Sequence, residues 1–359
     1  MPPEAPPPPL RLIVDSDLLG ANWTQLNRHS GAARAGAAVK ANAYGLGAET
    51  VTRALAKAGC RDFFVAHSSE GAQLVSIVDA ASISVLHGPQ SAEDAAFMAA
   101  VGLRPVINSL RQASLWLDAG GGACDLMVDT GINRLGLAMG DLGDPLIGRL
   151  QVLTLMSHLA CADEDSPMNE VQRLRWREAC AIVPSRDQSL ANSAGISLGP
   201  DYHGTLTRPG LSIYGGTPRN NPQDKSIWLY TPFRIEAALI QVREIAAGET
   251  VGYNATFTAS RPTRIGVVSI GYADGYLRAW SGKGSMINPG RWYDPREQPL
   301  ELPVLGRVSM DMTVVDLTHE PELHEGDWLQ VLYSLPRAAG ATGLSQYELL
   351  TTLGGRFVR

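Results

Sequence analysis

The first two-thirds of the chain alternates short apolar runs with helix-like stretches, and this alternation constrains the fold more than any other feature. Several of the eight runs are almost continuously apolar, as expected for parallel strands that are buried on both faces. The segments between them, for example 49–58, 92–100 and 169–181, contain the Ala, Leu and Glu residues typical of crossover helices. The eight runs span residues 37–40, 63–66, 83–86, 104–107, 126–128, 152–156, 189–191 and 206–208.

Eight strands joined by seven helical spacers predict a closed (β/α)8 barrel, a TIM barrel, with a doubly wound open sheet as the alternative. The positions of the polar side chains favour the barrel, because each of them follows a predicted strand. In such barrels the active site lies at the C-terminal ends of the strands. The side chains in question are Lys40, Asn108, Asp129, His158, Ser193 and Arg208.

The character of the sequence changes after about residue 221. The strand-like runs 233–244, 263–270, 302–308 and 313–317 are separated by Gly, Pro and Asp, and no long helical pattern occurs before 346–353. We therefore predict a (β/α)8 barrel over residues 11–225, followed by a mostly β domain over residues 226–359. The proline-rich residues 1–10 are predicted to form a disordered or extended tail.

Composition excludes several functional classes. A net charge of −6 offers no basic surface for nucleic acid, and no apolar run is long enough to span a membrane. The first residues lack the pattern of a signal peptide. Four cysteines without a C-x-x-C pair predict reduced thiols and a cytoplasmic protein. The seven histidines show no metal-binding motif, and the pair His158 and Cys161 alone is weak support for one, so we expect no metal.

Lys40 stands at the end of the first apolar run, before a loop bounded by Gly45 and Gly47. Lysine is rarely buried without a task. Burial lowers the pKa of an amine and makes it a better nucleophile, which is what Schiff-base formation with an aldehyde requires. From this residue alone, a lysine that packs its stem in the barrel and extends its amine into solvent explains the pattern equally well.

Taken as a whole, the segment 38–47 closely resembles the cofactor-lysine motif of alanine racemases. Six further segments match the same family in order, and the resemblance extends from about Arg11 to the C-terminus. It implies a barrel that binds pyridoxal phosphate (PLP), followed by a β domain. The six segments are 128–136, 157–160, 192–194, 208–215, 270–276 and 306–311.

The resemblance implies a PLP-dependent racemase that interconverts L- and D-alanine. Lys40 would carry the cofactor and act as the base on one face of the substrate Cα, and Tyr272 would act on the other face. Two bases are chemically sensible, because a planar carbanion must be protonated from either side. A free tyrosine has a pKa of about 10, so Tyr272 needs a nearby cation or hydrogen-bond donor to stabilise its phenolate.

The same resemblance assigns the remaining site residues. Arg208 would hydrogen-bond the pyridine nitrogen, and since arginine keeps its proton, the cofactor would be a weaker electron sink, which disfavours transamination. His158 would link Arg208 with Tyr272, and an unshifted histidine could tune a phenol. Asn192 could instead only shape a turn, and Met310 could be plain packing. The cofactor-phosphate positions are Tyr44, Asn192, Ser193, Gly210 and Leu211, and the substrate-contacting positions are Arg134 and Met310.

The chain departs from the family pattern at Met127. Many members have a lysine there, whose carbamate holds the arginine that corresponds to Arg134. Methionine cannot carry a carbamate, so Arg134 must be held by Asn133, Asp129 or a bound anion, or be held less firmly. We predict no carbamylated lysine at this position. The C-terminal segment 354–356 also lacks a tyrosine that some members use near the phosphate.

Other functions stay open at this stage. The chain could be a racemase of serine, lysine or another amino acid, because pocket width cannot be read from one sequence. A non-catalytic PLP-binding protein would resemble the barrel alone, and the second domain with Tyr272 and Met310 argues against it. A decarboxylase would not place an arginine at position 208. The resemblance also implies a head-to-tail homodimer, in which Tyr272 of one subunit would reach Lys40 of the other. A biosynthetic and a catabolic role are not separated.

Overall fold

A computed structural model describes residues 6–217, 219, 227–290 and 299–358 of the chain. The chain divides into two units, the barrel unit Ser16–Pro232 and a C-terminal unit that combines Met1–Asp15 with Phe233–Arg359. No helix in the described ranges has the length and apolar character needed to cross a membrane.

The first part of the chain supplies β1 and all elements of the barrel unit. Its strands are β1 (Leu10–Val14), β2 (Arg34–Ala35), β3 (Ala37–Ala38), β4 (Phe63–Val65), β5 (Ile83–Val85), β6 (Arg104–Ile107), β7 (Ala123–Met127), β8 (Gln151–Met156), β9 (Asp187–Ser189) and β10 (Leu206–Thr207). Its helices are α1 (Ser16–His29), α2 (Lys40–Tyr44), α3 (Ala48–Ala58), α4 (Ser68–Leu74), α5 (Ala92–Val101), α6 (Leu110–Asp118), α7 (Pro167–Ile182) and α8 (Ser193–Ile196).

The barrel closes through the segment 34–39, which contains β2 and β3. Strands β3 to β9 form a parallel sheet in sequence order, and β10 pairs in parallel with β2. The backbone N–H groups of this segment alternate between two neighbours. Gly36 and Ala38 donate to the β10 segment, whereas Ala37 and Val39 donate to the β4 segment. A parallel bridge at Arg208 joins β10 to the chain after β9, so the predicted (β/α)8 barrel is confirmed.

Serine side chains and glycines mark the ends of several barrel helices. Ser91, Ser109 and Ser166 precede α5, α6 and α7, and each hydroxyl accepts a hydrogen bond from a backbone N–H in the first turn. Gly59 and Gly102 follow α3 and α5 in the left-handed conformation that ends a helix most cheaply. These local signals explain why the helical spacers begin and end where they do.

Buried ion pairs fill the end of the barrel at which the strands begin. Arg104, the first residue of β6, donates from Nε to the Asp125 carboxylate at 3.0 Å, and both side chains are buried. Asp125 also accepts hydrogen bonds from Ser84 Oγ at 2.7 Å and from the Thr154 N–H at 3.1 Å. Arg34 bonds Asp62 and Asp187 nearby. A buried charge is costly unless it is paired and hydrogen-bonded, and these bonds give the buried charges their partners.

The C-terminal unit is built from antiparallel strands. They are β11 (Phe233–Ile245), β12 (Thr250–Val251), β13 (Phe257–Thr258), β14 (Thr263–Val268), β15 (Ser285–Ile287), β16 (Leu302–Leu305), β17 (Thr313–Asp316) and β18 (Trp328–Val331), followed by α9 (Leu335–Thr342) and α10 (Gln346–Thr351). The main sheet has the order β1-β11-β14-β17-β16-β15-β18, and β18 also pairs with β11, so six of these strands close on themselves. The predicted β domain is confirmed.

The structure differs from the expected domain boundary at the N-terminus. Strand β1 pairs antiparallel with β11, with Leu10 opposite Ala237 and Val14 opposite Phe233, so residues 10–14 belong to the C-terminal unit and not to a tail or the barrel. The alternation of buried Leu10 and Leu12 with the exposed Arg11 predicts a strand but carries no information about a pairing site more than 200 residues away. Residues 1–5 and 220–226 of the expected boundary regions lie outside the described residues.

Candidate active site

The barrel side chains selected from the sequence lie where strands end. Lys40 closely follows β3, His158 follows β8, and Arg208 follows β10, while Ser193 begins α8 after β9. Because the carboxyl ends of parallel strands meet at one rim of the barrel, these residues face a common region. Asn108 follows β6 but has a structural task, since its amide nitrogen donates to the carbonyl oxygens of Leu86 and Val106.

Lys40 has the electrostatic surroundings of a reactive amine. Burial lowers the pKa of Lys40, the positive charge of Arg134 lowers it further, and the carboxylate of Glu70 acts in the opposite direction. A lowered pKa leaves more of the amine neutral at a given pH. Both a nucleophile that attacks an aldehyde and a base that takes a proton from carbon require that neutral form.

The segment after Lys40 forms a left-handed turn, which we define as residues 41–44. Their φ angles are 53°, 53°, 52° and 55°, in a region that L-residues other than glycine avoid. The turn brings the Tyr44 ring into the interior, where its centroid lies 4.7 Å from that of Tyr214. Tyr214 is in turn fixed by a hydrogen bond from its hydroxyl to the Ala38 carbonyl oxygen. Lys40 and Tyr44 are therefore placed by one strained stretch of backbone.

Tyr44, Ser193 and Gly210 come together as the sequence predicts for phosphate positions. The Ser193 Oγ accepts hydrogen bonds from the N–H groups of Gly210 at 2.9 Å and Ser212 at 3.2 Å. A Cβ at Gly210 would lie only 2.3 Å from the Tyr44 hydroxyl oxygen, so only glycine fits this approach. The Ser212 hydroxyl is buried without a hydrogen-bond partner among the described residues. This cradle of small polar groups suits an oxyanion such as phosphate.

The other two expected phosphate positions differ from each other. Leu211 begins the short 3-10 turn Leu211–Tyr214, and its N–H donates no hydrogen bond to another described residue, so it can donate to an anion. Asn192 uses its side-chain oxygen to accept from the Gly195 N–H at 2.9 Å, which caps α8. Asn192 therefore shapes the turn before α8, which was the alternative to a contact with the cofactor phosphate.

Arg208 is buried at the end of β10. Its guanidinium donates to Ser189 Oγ and to the Ser157 carbonyl oxygen. Burial lowers the pKa of Arg208 to about 10, with the charge of Asp125 opposing that shift. The side chain therefore remains protonated at neutral pH and acts as a hydrogen-bond donor only, as expected from the sequence.

His158 differs from the expectation of an unshifted histidine. Burial and the positive charges of Arg208, Arg134 and Lys40 lower the pKa of His158 to about 3. It is therefore neutral at physiological pH and can hydrogen-bond a phenol but cannot attract a phenolate as a cation. Gln172 of α7 holds this loop, because its amide nitrogen donates to the His158 carbonyl oxygen at 2.9 Å.

The loop that carries Arg134 is organised by a single carboxylate. Asp129 accepts hydrogen bonds from the N–H groups of Gly131 at 2.7 Å, Asn133 at 3.1 Å and Arg134 at 3.0 Å. Asp129 thus fixes the backbone of Arg134, and the guanidinium donates no hydrogen bond to another described residue. Met127 is buried in β7 and contributes no charge. Asp129 was one of the groups that the sequence offered to hold Arg134. It holds the backbone of Arg134 and not its guanidinium.

Tyr272 and Met310 come together in the C-terminal unit. Tyr272 begins the 3-10 turn Tyr272–Asp274, and its N–H donates to the Ser309 carbonyl oxygen at 3.0 Å, while the Ala273 N–H donates to Met310. A Cβ at Gly271 would lie 2.3 Å from the Met310 carbonyl oxygen, so this contact requires glycine. The two positions selected from separate sequence motifs therefore belong to one surface.

Two arginines support the Tyr272 turn. The Arg278 guanidinium carbon lies 5.4 Å from the centre of the Tyr272 ring, in a cation–π contact. Arg356 donates to Asp274 at 2.7 Å and to Asp311 at 2.8 Å, and so ties the Tyr272 turn to the loop of Met310.

Sequence reasoning missed the residues that support the site. Gln172 lies on the buried face of α7 with Asn169, Trp176 and Ala179. A polar residue at a buried position of an amphipathic helix was the feature of the sequence that could have identified it. Arg356 carries no such signal, because its two carboxylate partners come from distant parts of the chain. No cluster of three or more potential metal-binding side chains exists within the described residues.

Comparison with known proteins identifies relatives over almost the whole chain. The family model for "Alanine racemase, N-terminal domain" matches residues 14–218, and that for "Alanine racemase, C-terminal domain" matches residues 233–359. The biosynthetic alanine racemase of Agrobacterium fabrum is 40% identical, covering 98% of this chain and 93% of its own length. The catabolic alanine racemase of the same organism is 38% identical, covering 97% and 91%.

Solved structures agree with these sequence relatives. The alanine racemase of Bartonella henselae, whose structure has covalently bound pyridoxal phosphate, gives a TM-score of 0.86 at 33% identity, covering 98% of this chain and 99% of its own. The biosynthetic alanine racemase of Pseudomonas aeruginosa gives a TM-score of 0.84 at 36% identity with the same coverage. The match to the second domain argues against a barrel-only PLP-binding protein.

The lowered pKa of His158 predicts a pH dependence of stability in the ligand-free protein. An unfolded histidine titrates near 6.5, so as the pH falls from about 6.5 towards 3 the unfolded chain binds a proton that folded His158 does not. The free energy of unfolding therefore falls, by about 2 kcal/mol at pH 5 relative to neutral pH. His158→Asn should remove this loss in urea unfolding at the two pH values. His319→Asn, at an exposed position, is the control; equal pH dependence in the wild type and His158→Asn would contradict the assignment.

Proposed function

Because this chain belongs to the alanine racemase family, we propose that it interconverts L- and D-alanine, with PLP held on Lys40 and with Lys40 and Tyr272 as the two bases. It is a PLP-dependent isomerase of amino acids. The assignment of bases rests on the surroundings of each residue, a desolvated amine at Lys40 and a tyrosine beside the Arg278 guanidinium.

The hydrogen bonds of Ser193 are the observation that most strongly supports a phosphate-bearing cofactor. A hydroxyl has two acceptor sites and one donor proton. Both acceptor sites of Ser193 Oγ are used by the N–H groups of Gly210 and Ser212, which leaves the O–H to be donated. A phosphate oxygen accepts hydrogen bonds and suits that donor. Ser193, Tyr44 and the Leu211 N–H would hold the phosphate of PLP.

Bound PLP supplies an electron sink that stabilises negative charge at the substrate Cα. Arg208 keeps its proton and would donate a hydrogen bond to the pyridine nitrogen, so the electron sink stays moderate and the proton returns to Cα more readily than to the cofactor. One base takes the Cα proton and the base on the other face delivers one, which inverts the centre. Neutral His158 would link Arg208 to the phenol of Tyr272 by hydrogen bonding, without adding a charge.

Arg134 and Met310 are the proposed substrate contacts. Arg134 carries a guanidinium that no described side chain engages, so it is available to a substrate carboxylate or to the phenolic oxygen of PLP. Alanine is the substrate named for the relatives, and biosynthetic and catabolic relatives are 40% and 38% identical. Because the two identities are nearly equal, they support the reaction equally and favour neither a biosynthetic nor a catabolic role.

The proposal includes a cytoplasmic homodimer with shared active sites. All four cysteines, Cys60, Cys124, Cys161 and Cys180, are free thiols, as expected in a reducing compartment. The barrel unit of each subunit would carry the cofactor. The C-terminal unit of each subunit would contribute Tyr272 and Met310 to the site of the other subunit.

Solvent-isotope exchange tests the reaction directly. PLP-loaded protein incubated with L-alanine in D2O should yield D-alanine with deuterium at Cα, because the proton is delivered by a base that exchanges with solvent. Chiral chromatography with mass spectrometry measures both the isomer and the label. Deuterated L-alanine without D-alanine would mean that only one base works. No exchange with PLP bound would contradict the proposed function or its choice of alanine.

Mixing two inactive variants tests whether sites are shared. Lys40→Ala and Tyr272→Phe should each lose nearly all activity alone. If Tyr272 serves the other subunit's Lys40, each mixed dimer has one intact site of two and should show about half of the wild-type activity per dimer. In a random mixture half of the dimers are mixed, so the whole preparation should regain about a quarter of the wild-type activity. Racemase assays after co-expression, with mass spectrometry to count mixed dimers, give the result. Mixed dimers without activity would show that each site lies within one subunit.

Replacement of Gly210 tests the phosphate cradle. Gly210→Ala places a Cβ 2.3 Å from the Tyr44 hydroxyl oxygen, so the tyrosine or the turn must move. PLP binding measured by equilibrium dialysis should weaken about tenfold or more, equivalent to about 1.4 kcal/mol. Gly143→Ala is a matched control, because nothing lies within 4 Å of its Cβ position. Unchanged PLP affinity in Gly210→Ala would remove this cradle from the proposal.

A further inference from the structure

We propose that Glu70 is the positioning residue for Lys40, and that its carboxylate holds the left-handed turn in the conformation that presents Lys40 to the cofactor. This inference rests on the proposed function, in which Lys40 carries PLP. Glu70 itself is not expected to contact the substrate. It acts through the backbone that follows Lys40.

One carboxylate joins two neighbouring loops. Glu70 Oε1 accepts a hydrogen bond from the Ala41 N–H at 2.7 Å, and Oε2 accepts from the N–H groups of Ala66 at 2.7 Å and His67 at 3.3 Å. Ala41 is the first residue of the left-handed turn, whereas Ala66 and His67 follow β4. Glu70 therefore ties the loop after β3 to the loop after β4 at the rim of the barrel.

The left-handed turn needs such a restraint. A non-glycine residue in the left-handed region is energetically unfavourable, and the turn contains four in succession. A strained segment persists only where its surroundings determine it. Within the turn, the Asn42 side-chain oxygen accepts from the Ala48 N–H at 2.8 Å, and Glu70 holds the first residue, Ala41. Loss of the Glu70 bond frees the end that is bonded directly to Lys40.

Glu70 also acts on the charge of Lys40. Its carboxylate raises the pKa of Lys40, against the effects of burial and of Arg134. Other titratable groups lie in the same region. The rings of His67 and His87 are 4.4 Å apart, and burial, His67 and Lys40 lower the pKa of His87. Removing the carboxylate therefore changes both the direction and the proton affinity of the Lys40 amine.

A purely structural alternative exists, because Glu70 also lies in the first turn of α4 and bonds the N–H of His67. The capping box at the start of α10 provides a matched control. There Glu348 accepts a hydrogen bond from the Ser345 N–H at 2.9 Å, in the same relation to its helix and in the other unit of the chain. Glu348→Gln makes the same charge-removing substitution in a comparable cap, without touching the left-handed turn.

The test compares full-length Glu70→Gln and Glu70→Asp with Glu348→Gln and the wild type, each stripped of PLP for the attachment assay and loaded with PLP for the other measurements. Borohydride reduction at timed intervals, followed by peptide mass spectrometry, measures how fast added PLP attaches to Lys40. Visible absorption against pH measures the titration of the loaded site, and thermal unfolding measures stability. In Glu70→Gln we expect attachment and kcat to fall about tenfold to a hundredfold with a smaller change in KM, and the titration to move to lower pH.

The conservative variant separates geometry from charge. Glu70→Asp keeps the negative charge but shortens its reach, so the pH titration should return towards that of the wild type while attachment stays slow. Wild-type attachment rate and pH titration in Glu70→Gln would overturn the proposal. The proposal would also be overturned if Glu70→Gln differed from the wild type only by a loss of thermal stability equal to that of Glu348→Gln. If wild-type protein attaches PLP to Lys40 but does not racemise alanine, the proposed function fails, while the attachment rates still decide the role of Glu70.

Discussion

The closure of the barrel through residues 34–39 is the constraint on which the site depends. This short segment bonds one neighbouring strand through Gly36 and Ala38 and the other through Ala37 and Val39, so it completes the parallel ring. Lys40 is the next residue. Its position relative to the ends of the other strands is therefore set by the same hydrogen bonds that close the barrel, and the left-handed turn only has to aim the side chain.

Charges are distributed unequally along the barrel. At the end where the strands begin, Arg104 and Asp125 neutralise each other and are enclosed by hydrogen bonds. At the opposite rim, Lys40, Arg134 and Arg208 act on one another or on His158 as positive charges. Such a rim favours anions, and a bound phosphate and a substrate carboxylate would reduce the repulsion among these cations. Burial is the largest cause of the lowered pKa values of Lys40 and His158, and these neighbouring positive charges add to it.

The sequence predicts the barrel and the second domain through strand periodicity, which is a local signal, and it selects Tyr44, Ser193 and Gly210 through the resemblance to the family. It predicts the juxtaposition of Tyr272 with Met310 through motif matching. It does not predict the low pKa of His158, which arises from burial and from positive charges on three separate loops. Nor does it predict Glu70, since a glutamate in the first turn of a helix is ordinarily read as a cap. Interactions between distant segments leave no periodic trace in the sequence.

Strand β1 has a consequence for how the chain assembles. Because β1 pairs with β11, the C-terminal unit is discontinuous and the barrel is an insertion between its first two strands. During synthesis the whole barrel unit is made after β1 and before β11, so β1 has no pairing partner until the barrel unit is complete. A fragment that starts at Phe233 would leave one edge of β11 unpaired, which is the kind of edge that promotes aggregation. Residues 10–14 and the segment that begins at Phe233 therefore form one unit, although more than 200 residues separate them along the chain.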